Sequence, residues 1–210
     1  EGLTNFQVAK LLYETEGLQG DVPPLPGEGI LLPETYHFSW GDARAEVVSR
    51  MHHAMREALR KEWDSREPRL PLKSPQEALI LASIVEKETA VAEERPHIAA
   101  VFYNRLRRHI RLQSDPTVVY DLTGGTGPLG RTLTHEDLKQ KTPSNTYMID
   151  GLPPAPISNP GLLALHAVLH PAESDDLYFV ADGSGGHVFS DTLTEHNRKV
   201  AKWRKVRDKR

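Results

Sequence analysis

Apolar residues recur at helical spacing along much of the chain, and the segment from Ser74 to Thr89 holds the densest run of them. Ser74 suits an N-cap, Pro75 a first helical position, and Glu77, three residues on, completes a capping box. Ala78, Leu79, Ile80, Leu81, Ala82, Ile84 and Val85 then leave almost no polar face, which predicts a helix buried on most sides. A shorter amphipathic helix is predicted over residues 3–16, with Leu3, Phe6, Val8, Leu11 and Leu12 as apolar positions and Thr4 as cap. From Asp42 to Arg66, Val47, Met51, Met55, Leu59 and Trp63 recur every four residues, opposite Arg and His. Helical spacing returns from Pro96 to His109 through Ile98, Val101, Phe102 and Leu106.

The breaks are as informative. Pro23, Pro24, Pro26 and Pro33 with Gly20, Gly27 and Gly29 read as a linker or extended edge outside the core, and as a domain boundary. Gln113 to Thr117 reads as a turn, because Asp115 precedes a proline. Gly124 to Gly130 reads as a flexible loop, Thr134 caps a brief helix, and Asn159 with Pro160 starts another that ends before Pro171. Leu177 to Val180 and His187 to Ser190 are strand-like runs joined by Asp182-Gly183-Ser184-Gly185-Gly186, a hairpin signal. Neither Lys-Ser/Thr nor a helix follows those glycines directly, so a phosphate loop is not indicated. The tail from Thr194 to Arg210 is a basic helix, with eight Lys or Arg after His196 against only Asp208. The expected fold is α+β: mainly helical, with a small antiparallel sheet.

Composition narrows the classes. The 210 residues, 38% hydrophobic and 26% charged, suit a globular chain with a substantial core. A net charge of -3 gives no global attraction to nucleic acid. Without cysteine there are no disulfides or thiolate metal sites. No membrane span or signal peptide is visible, and a first residue of Glu1 reads as an excised or processed piece. Gly-x-Ser-x-Gly, His-Glu-x-x-His and Rossmann motifs are missing, and the ten histidines are scattered without metal-ligand spacing. His52 and His53 read as solvated or packed. Arg105, Arg107, Arg108 and Arg111 complement a helix C-terminus or meet an anionic polymer.

What remains is carboxylate chemistry. Glu86 and Glu88 end the apolar helix, two positions apart. At roughly 100° per residue, Glu88 falls on the stripe of Leu81, Ile84 and Val85, while Glu86 points about 200° away, beside Leu79 and Ala82. Burial on the bulkier face would raise the Glu88 pKa toward roughly 6 to 7, the range a general acid needs near neutral pH. The bland alternative is an ion pair of either acid, for instance with Arg95.

Longer strings carry a resemblance. Leu81 to Thr89, Val101 to Leu106, Leu112 to Val118, Asn145-Thr146-Tyr147, Gly151 to Pro154, Pro156 to Gly161, Leu177 to Gly183 and Gly186 to Phe189 recur in the order seen in the YceG-like family of endolytic murein transglycosylases. Gly29 to Tyr36 resembles the junction that follows that family's LysM-like region, so residues 1–36 are expected to be the end of a LysM-like subdomain and 37–210 the catalytic domain. Asp121, where the family usually has glycine, and Ala155 depart from the pattern at what read as loop positions, where they bear on substrate fit.

The resemblance implies cleavage of the β-1,4 bond between N-acetylmuramic acid and N-acetylglucosamine in peptidoglycan without water, leaving a 1,6-anhydromuramic end. It implies Glu88 as the catalytic glutamate and no cofactor or metal. Gln113, Ser114, Asp115, Asn145 and Tyr147 are candidates for gripping the sugars, although Asp115 could instead cap a turn and Asn145 hold a loop. His187 and Phe189 are candidates to border the cleft. The implied partners are glycan strands and peptidoglycan synthases (penicillin-binding proteins), with no nucleic acid. The implied setting is the bacterial cell envelope, with a membrane anchor outside this chain and the catalytic domain in the periplasm. A hydrolytic muramidase and a non-catalytic peptidoglycan-binding scaffold are the competing readings.

Overall fold

The computed structural model describes residues 1–207, with side chains through residue 205. In chain order it contains α1 (Asn5–Glu14), α2 (Arg44–Asp64), α3 (Pro75–Glu88), a 3-10 turn (Ala92–Glu94), α4 (Arg95–Arg107), α5 (Asp115–Thr123), α6 (His135–Leu138), α7 (Leu162–Leu169), β1 (Tyr178–Ala181), β2 (His187–Ser190) and α8 (Leu193–Arg207). β1 and β2 form a two-stranded antiparallel hairpin, pairing Tyr178 with Ser190 and Ala181 with His187. This is the expected helical fold with a small sheet. No helix among the described residues is long and apolar enough to cross a membrane.

The central element is α3. All eight residues from Ala78 to Val85 are buried, and the helix packs against α2, α4, α5 and α7. Side chains from α4 (Ile98, Phe102, Tyr103) and α7 (Leu165, Val168, Leu169) close the core around it with Leu112 and Ile157. Each large apolar side chain so buried contributes about 1.5–3 kcal/mol, which makes α3 a stiff support for whatever its last turn carries. Its N-terminus is capped by Ser74 Oγ, which accepts from Glu77 N. The second half of the expected capping box is not formed: the Glu77 carboxylate accepts from Lys73 N at 2.6 Å instead.

The proline- and glycine-rich stretch is not outside the core. Leu31 is fully buried, and Leu18 and Leu31 join Val8 and Leu12 of α1 and Val47, Val48 and Met51 of α2 in a second apolar cluster. That cluster continues across residue 36. Asn159 explains how the segment is held. Its Oδ1 accepts from Leu31 N at 2.9 Å, and its Nδ2 donates to Leu3 O and Asn5 Oδ1. Asn159 is thus a tertiary tie, and α7 begins three residues later than expected, behind Gly161 as N-cap. In α1, Thr4 makes the expected cap with Gln7, but only Val8 and Leu12 of the apolar set are buried; Leu3, Phe6 and Leu11 are exposed.

Two further expectations change. Asp115 does not lie in a turn but opens α5, with Ser114 as the extended N-cap and Pro116 in the first turn. A residue before proline is disfavoured in helical geometry, not barred from it, and here Thr117 secures the bend by donating through Oγ1 to Ser114 O at 2.6 Å. Asp121 likewise lies within α5, and its carboxylate accepts from Ser144 N at 2.8 Å. The basic tail forms α8 as far as Arg207 and rests on the hairpin; Asp208, Lys209 and Arg210, counted in the expected basic tail, lie outside the described residues.

Candidate active site

The two acids at the end of α3 have opposite surroundings. Glu86 accepts from Arg95 at 2.8 Å through Oε1 and from Gly161 N at 2.9 Å through Oε2. Both side chains of this pair are almost fully buried. Glu86 therefore joins α3, α4 and the start of α7, and takes the ion pair open to either acid. Glu88, the last residue of α3, has no cationic partner in contact among the described residues; its one hydrogen bond is from Ser114 Oγ to Oε1, at 2.5 Å. Its other oxygen is uncommitted.

Burial pushes the Glu88 pKa up to about 7. The Ser114 hydrogen bond opposes that rise, the nearby negative charge of Asp115 adds to it, and the positive fields of His187 and Arg105 moderate it. A position at a helix C-terminus acts in the same direction as burial, because the aligned peptide dipoles place partial negative charge there. Glu88 is nevertheless not sealed in. It is half-buried and opens onto a cleft of about 280 Å³ lined by Arg105, Leu112, Gln113, Asp115, Tyr147, Phe179 and His196.

The 113–117 and 145–147 segments form one wall together. Gln113 N donates to Thr146 O at 3.1 Å, and Ser114 N donates to Thr146 Oγ1 at 2.9 Å. Ser114 is buried beneath Glu88, while Gln113 and Asp115 on either side of it are exposed toward the cleft. Gln113 has φ of 52°, a left-handed conformation costly for a residue with a Cβ. Tyr147 OH donates to Asp115 Oδ1 at 2.5 Å along that wall.

Asn145 requires a correction. It is fully buried, and its amide donates to Leu138 O at 3.1 Å and Gln140 O at 2.7 Å. Its Oδ1 accepts from Tyr147 N. The side chain holds the loop and is not presented to a ligand, so of its two readings the structural one applies. His187 does not itself line the cleft: its ring meets the cleft residue Phe179 edge-on at 5.4 Å and its Nδ1 lies 2.8 Å from Glu94 Oε2. Glu94 also accepts from Thr89 Oγ1, the C-cap of α3. Burial would raise the Glu94 pKa, but the hydrogen bonds from His187 and Thr89 outweigh it and hold the group below its ordinary value. Phe189 stacks on His97 at 3.7 Å and does not line the cleft.

Two cleft residues escaped sequence reasoning. Arg105, grouped with the cations at the end of α4, is buried and turned inward, donating to Leu177 O at 2.6 Å and Leu112 O at 2.8 Å. Burial lowers its pKa from the usual arginine value, and its guanidinium faces carbonyls, with no carboxylate in ion-pair contact among the described residues. His196, on α8, stacks on Tyr178 with ring centroids 5.1 Å apart, and its Nδ1 is buried without a partner. Burial, reinforced by Arg105 and Lys199, lowers its pKa, so it presents a neutral imidazole to the cleft.

One raised-pKa carboxylic acid, anchored through a single oxygen in a polar cleft, defines a site for acid–base chemistry by one carboxyl group. The chain belongs to the YceG-like family, whose pattern matches residues 1–202. It is 37% identical over 178 residues to an endolytic murein transglycosylase of Bacillus subtilis, covering 85% of this chain and 48% of that protein. It is 36% identical over 181 residues to one from Streptococcus pneumoniae, covering 83% of this chain and 32% of that protein. A crystal structure of a YceG-like protein from Listeria monocytogenes superimposes with a TM-score of 0.67 at 39% identity, over 81% of this chain and 54% of that one. The chain thus spans between about a third and a half of the curated relatives it matches.

Proposed function

We propose that this chain carries the catalytic centre of a peptidoglycan lytic transglycosylase, with Glu88 as its acid and base. The observation that carries the reading is the pairing of a pKa near 7 with a free carboxyl oxygen facing the cleft. Protonated Glu88 gives its proton to the glycosidic oxygen as the bond from C1 of N-acetylmuramic acid to that oxygen breaks. Positive charge develops on the ring, as in other glycosidic cleavages, and the substrate's own N-acetyl carbonyl is placed to share it. The 6-hydroxyl of the same sugar then attacks C1, its proton passes to the Glu88 carboxylate, and the 1,6-anhydro ring closes. No water is consumed, and Glu88 ends protonated, ready for another turn. Because the nucleophile is intramolecular, the protein need only hold the ring in a reactive shape.

The remaining residues divide that work. Ser114 stabilises the carboxylate formed after proton donation and fixes its orientation. Arg105 supplies positive potential from behind the cleft. Gln113, Asp115, Tyr147 and His196 offer hydrogen bonds to sugar hydroxyl and amide groups. Asp115 also lines an adjoining cavity of about 620 Å³ with Lys87, Tyr120 and Gln7, which gives a polymer room to extend past the acid and suits endolytic cleavage. In the cell envelope, such cleavage would trim or terminate nascent strands made by peptidoglycan synthases. Residues 1–36 then stand as the end of a LysM-like subdomain, with a membrane anchor further upstream in the whole protein.

One observation favours a second reading, hydrolysis. Asp115 is close enough to raise the Glu88 pKa and could activate water. Digestion of purified glycan strands, followed by mass spectrometry, separates the cases: fragments ending in anhydromuramic acid support the proposal, and reducing ends one water heavier overturn it. Binding of strands without cleavage would indicate a scaffold.

A further inference from the structure

On the side of the protein formed by α2 and α7, Glu62 is buried near the C-terminal end of α2. His166 projects toward it from α7, and His170 from the non-helical residue that caps the C-terminus of that helix. Their rings stack with centroids 4.3 Å apart at 27°. A single carboxylate oxygen, Glu62 Oε2, lies 2.8 Å from His166 Nδ1 and 3.9 Å from His170 Nε2. None of the three lines the Glu88 cleft.

A hydrogen bond from His166 accounts for one of these contacts only. His170 Nε2 is buried and has no hydrogen-bond partner, a condition that costs free energy and calls for an explanation. The opposite nitrogen of the same ring, Nδ1, faces Glu67 Oε1 at 3.9 Å. A carboxylate behind a histidine is the usual support for an imidazole that ligates a metal through its other nitrogen. Glu67 is itself anchored, its N–H donating to Leu169 O at 2.9 Å.

We propose that Glu62, His166 and His170 form a site for a divalent transition metal of the zinc type, which fastens α2 to α7. Two imidazole nitrogens and one carboxylate oxygen suit zinc, whereas magnesium and calcium take oxygen ligands. Tetrahedral zinc with bonds of about 2.0–2.1 Å sets its ligand atoms about 3.3 Å apart. The three atoms here already lie within 4.8 Å of one another. The 2.8 Å contact has to open slightly and the 3.9 Å contact to close, and His166, whose side chain is 56% exposed, is free to make that adjustment. Its exposure leaves the fourth position to water. The sequence reads as having no metal-ligand spacing among its histidines, because the third ligand comes from a helix about a hundred residues upstream of His166 and His170 and no local motif announces it. The proposed reaction at Glu88 plays no part in this inference.

The test is calorimetric titration of the EDTA-treated, dialysed protein with zinc chloride, alongside thermal unfolding with and without zinc. One zinc per chain, bound with micromolar or tighter affinity, and an upward shift in Tm that magnesium does not produce are expected. His166→Ala, at a position whose side chain is more than half exposed, should weaken zinc binding at least tenfold, and His170→Ala should do likewise. His53→Ala, an exposed histidine elsewhere on α2, should leave it unchanged. Absence of saturable zinc binding by the folded wild-type chain, or wild-type affinity in both His166→Ala and His170→Ala, would overturn the proposal. In that case Glu62 and His166 form a hydrogen-bonded pair with the His170 ring stacked beside it and nothing more.

Discussion

Glu86 and Glu88 lie two residues apart on α3, yet the first is locked between Arg95 and Gly161 N, whereas the second hydrogen-bonds only with Ser114 among the described residues. Substitution should separate their roles. Glu88→Gln keeps the shape but cannot deliver a proton, so cleavage of glycan strands should fall by a factor of about 10² to 10⁴ or more, with circular dichroism unchanged. Glu86→Gln should damage stability instead, by less than the roughly 3–5 kcal/mol of a fully broken buried pair, because it leaves the buried Arg95 with only the more distant, partly exposed Glu1 carboxylate at 3.6 Å. Activity measured below the lowered melting temperature should largely survive. Loss of activity in folded Glu86→Gln with retention in Glu88→Gln would reverse the assignment.

The raised pKa of Glu88 also has a consequence for stability that needs no substrate. A folded-state pKa near 7, against an ordinary value of 4.5, means that the native protein holds this proton more tightly than the unfolded chain does. Its contribution is therefore fully present below about pH 4.5 and is lost as pH rises through about 7. Glu88→Gln removes the ionisable group. Denaturant melts should show the variant gaining on wild type between these limits, by up to about 3 kcal/mol at pH 8. Parallel stability curves across that range would show that Glu88 ionises normally.

Neighbouring residues tune the same proton with opposite signs. Ser114 favours the carboxylate, so Ser114→Ala should raise the Glu88 pKa and move the alkaline limb of the activity profile to higher pH. Asp115 disfavours it, so Asp115→Asn should move that limb to lower pH. The readout is the position of the limb, independent of the overall rate. If both variants shift it the same way, some other group controls the profile.

Local signals account for much of what was legible. Thr4, Ser74 and Thr134 all accept the backbone hydrogen bonds expected of caps, and the hairpin follows from two apolar runs around a glycine-rich loop. Helical geometry sets Glu88 on the bulky stripe of α3, in keeping with its raised pKa, while its role as the acid came from the family resemblance. Illegible residues are those whose role is fixed by distant partners. Nothing near Arg105 distinguishes it from Arg107 or Arg108, yet the carbonyls of Leu112 and Leu177 draw it inward. Asn145 and Asn159 carry the same side chain at polar positions in loops, and only the fold shows that both are buried ties.

Gln113 offers a test of strain held at the site. Its left-handed backbone is one that glycine adopts without penalty, so Gln113→Gly should leave stability unchanged or raise it by up to about 1 kcal/mol. If its side chain grips substrate, the same change should raise KM and reduce kcat/KM. A stabilised variant with full activity would assign Gln113 to the loop alone.

The nature of the product decides the chemistry most directly. If the muramic 6-hydroxyl attacks, strands digested in oxygen-18 water should yield internal fragments ending in 1,6-anhydromuramic acid, with no label in the new ends. Asp115 is the one acid beside Glu88 in the cleft, and Tyr147 OH already occupies its Oδ1 at 2.5 Å. That oxygen is thereby engaged by the phenol and not open to a water. Asp115→Asn should therefore still release anhydro ends, at a reduced rate if the side chain binds sugar. Were Asp115 a hydrolytic base, label would enter the reducing ends made by the wild-type protein, and Asp115→Asn would abolish cleavage outright. Incorporation of label in the wild type alone would be enough to reassign the chain to the hydrolytic muramidases, with Glu88 kept as the acid and water replacing the sugar's own hydroxyl as nucleophile.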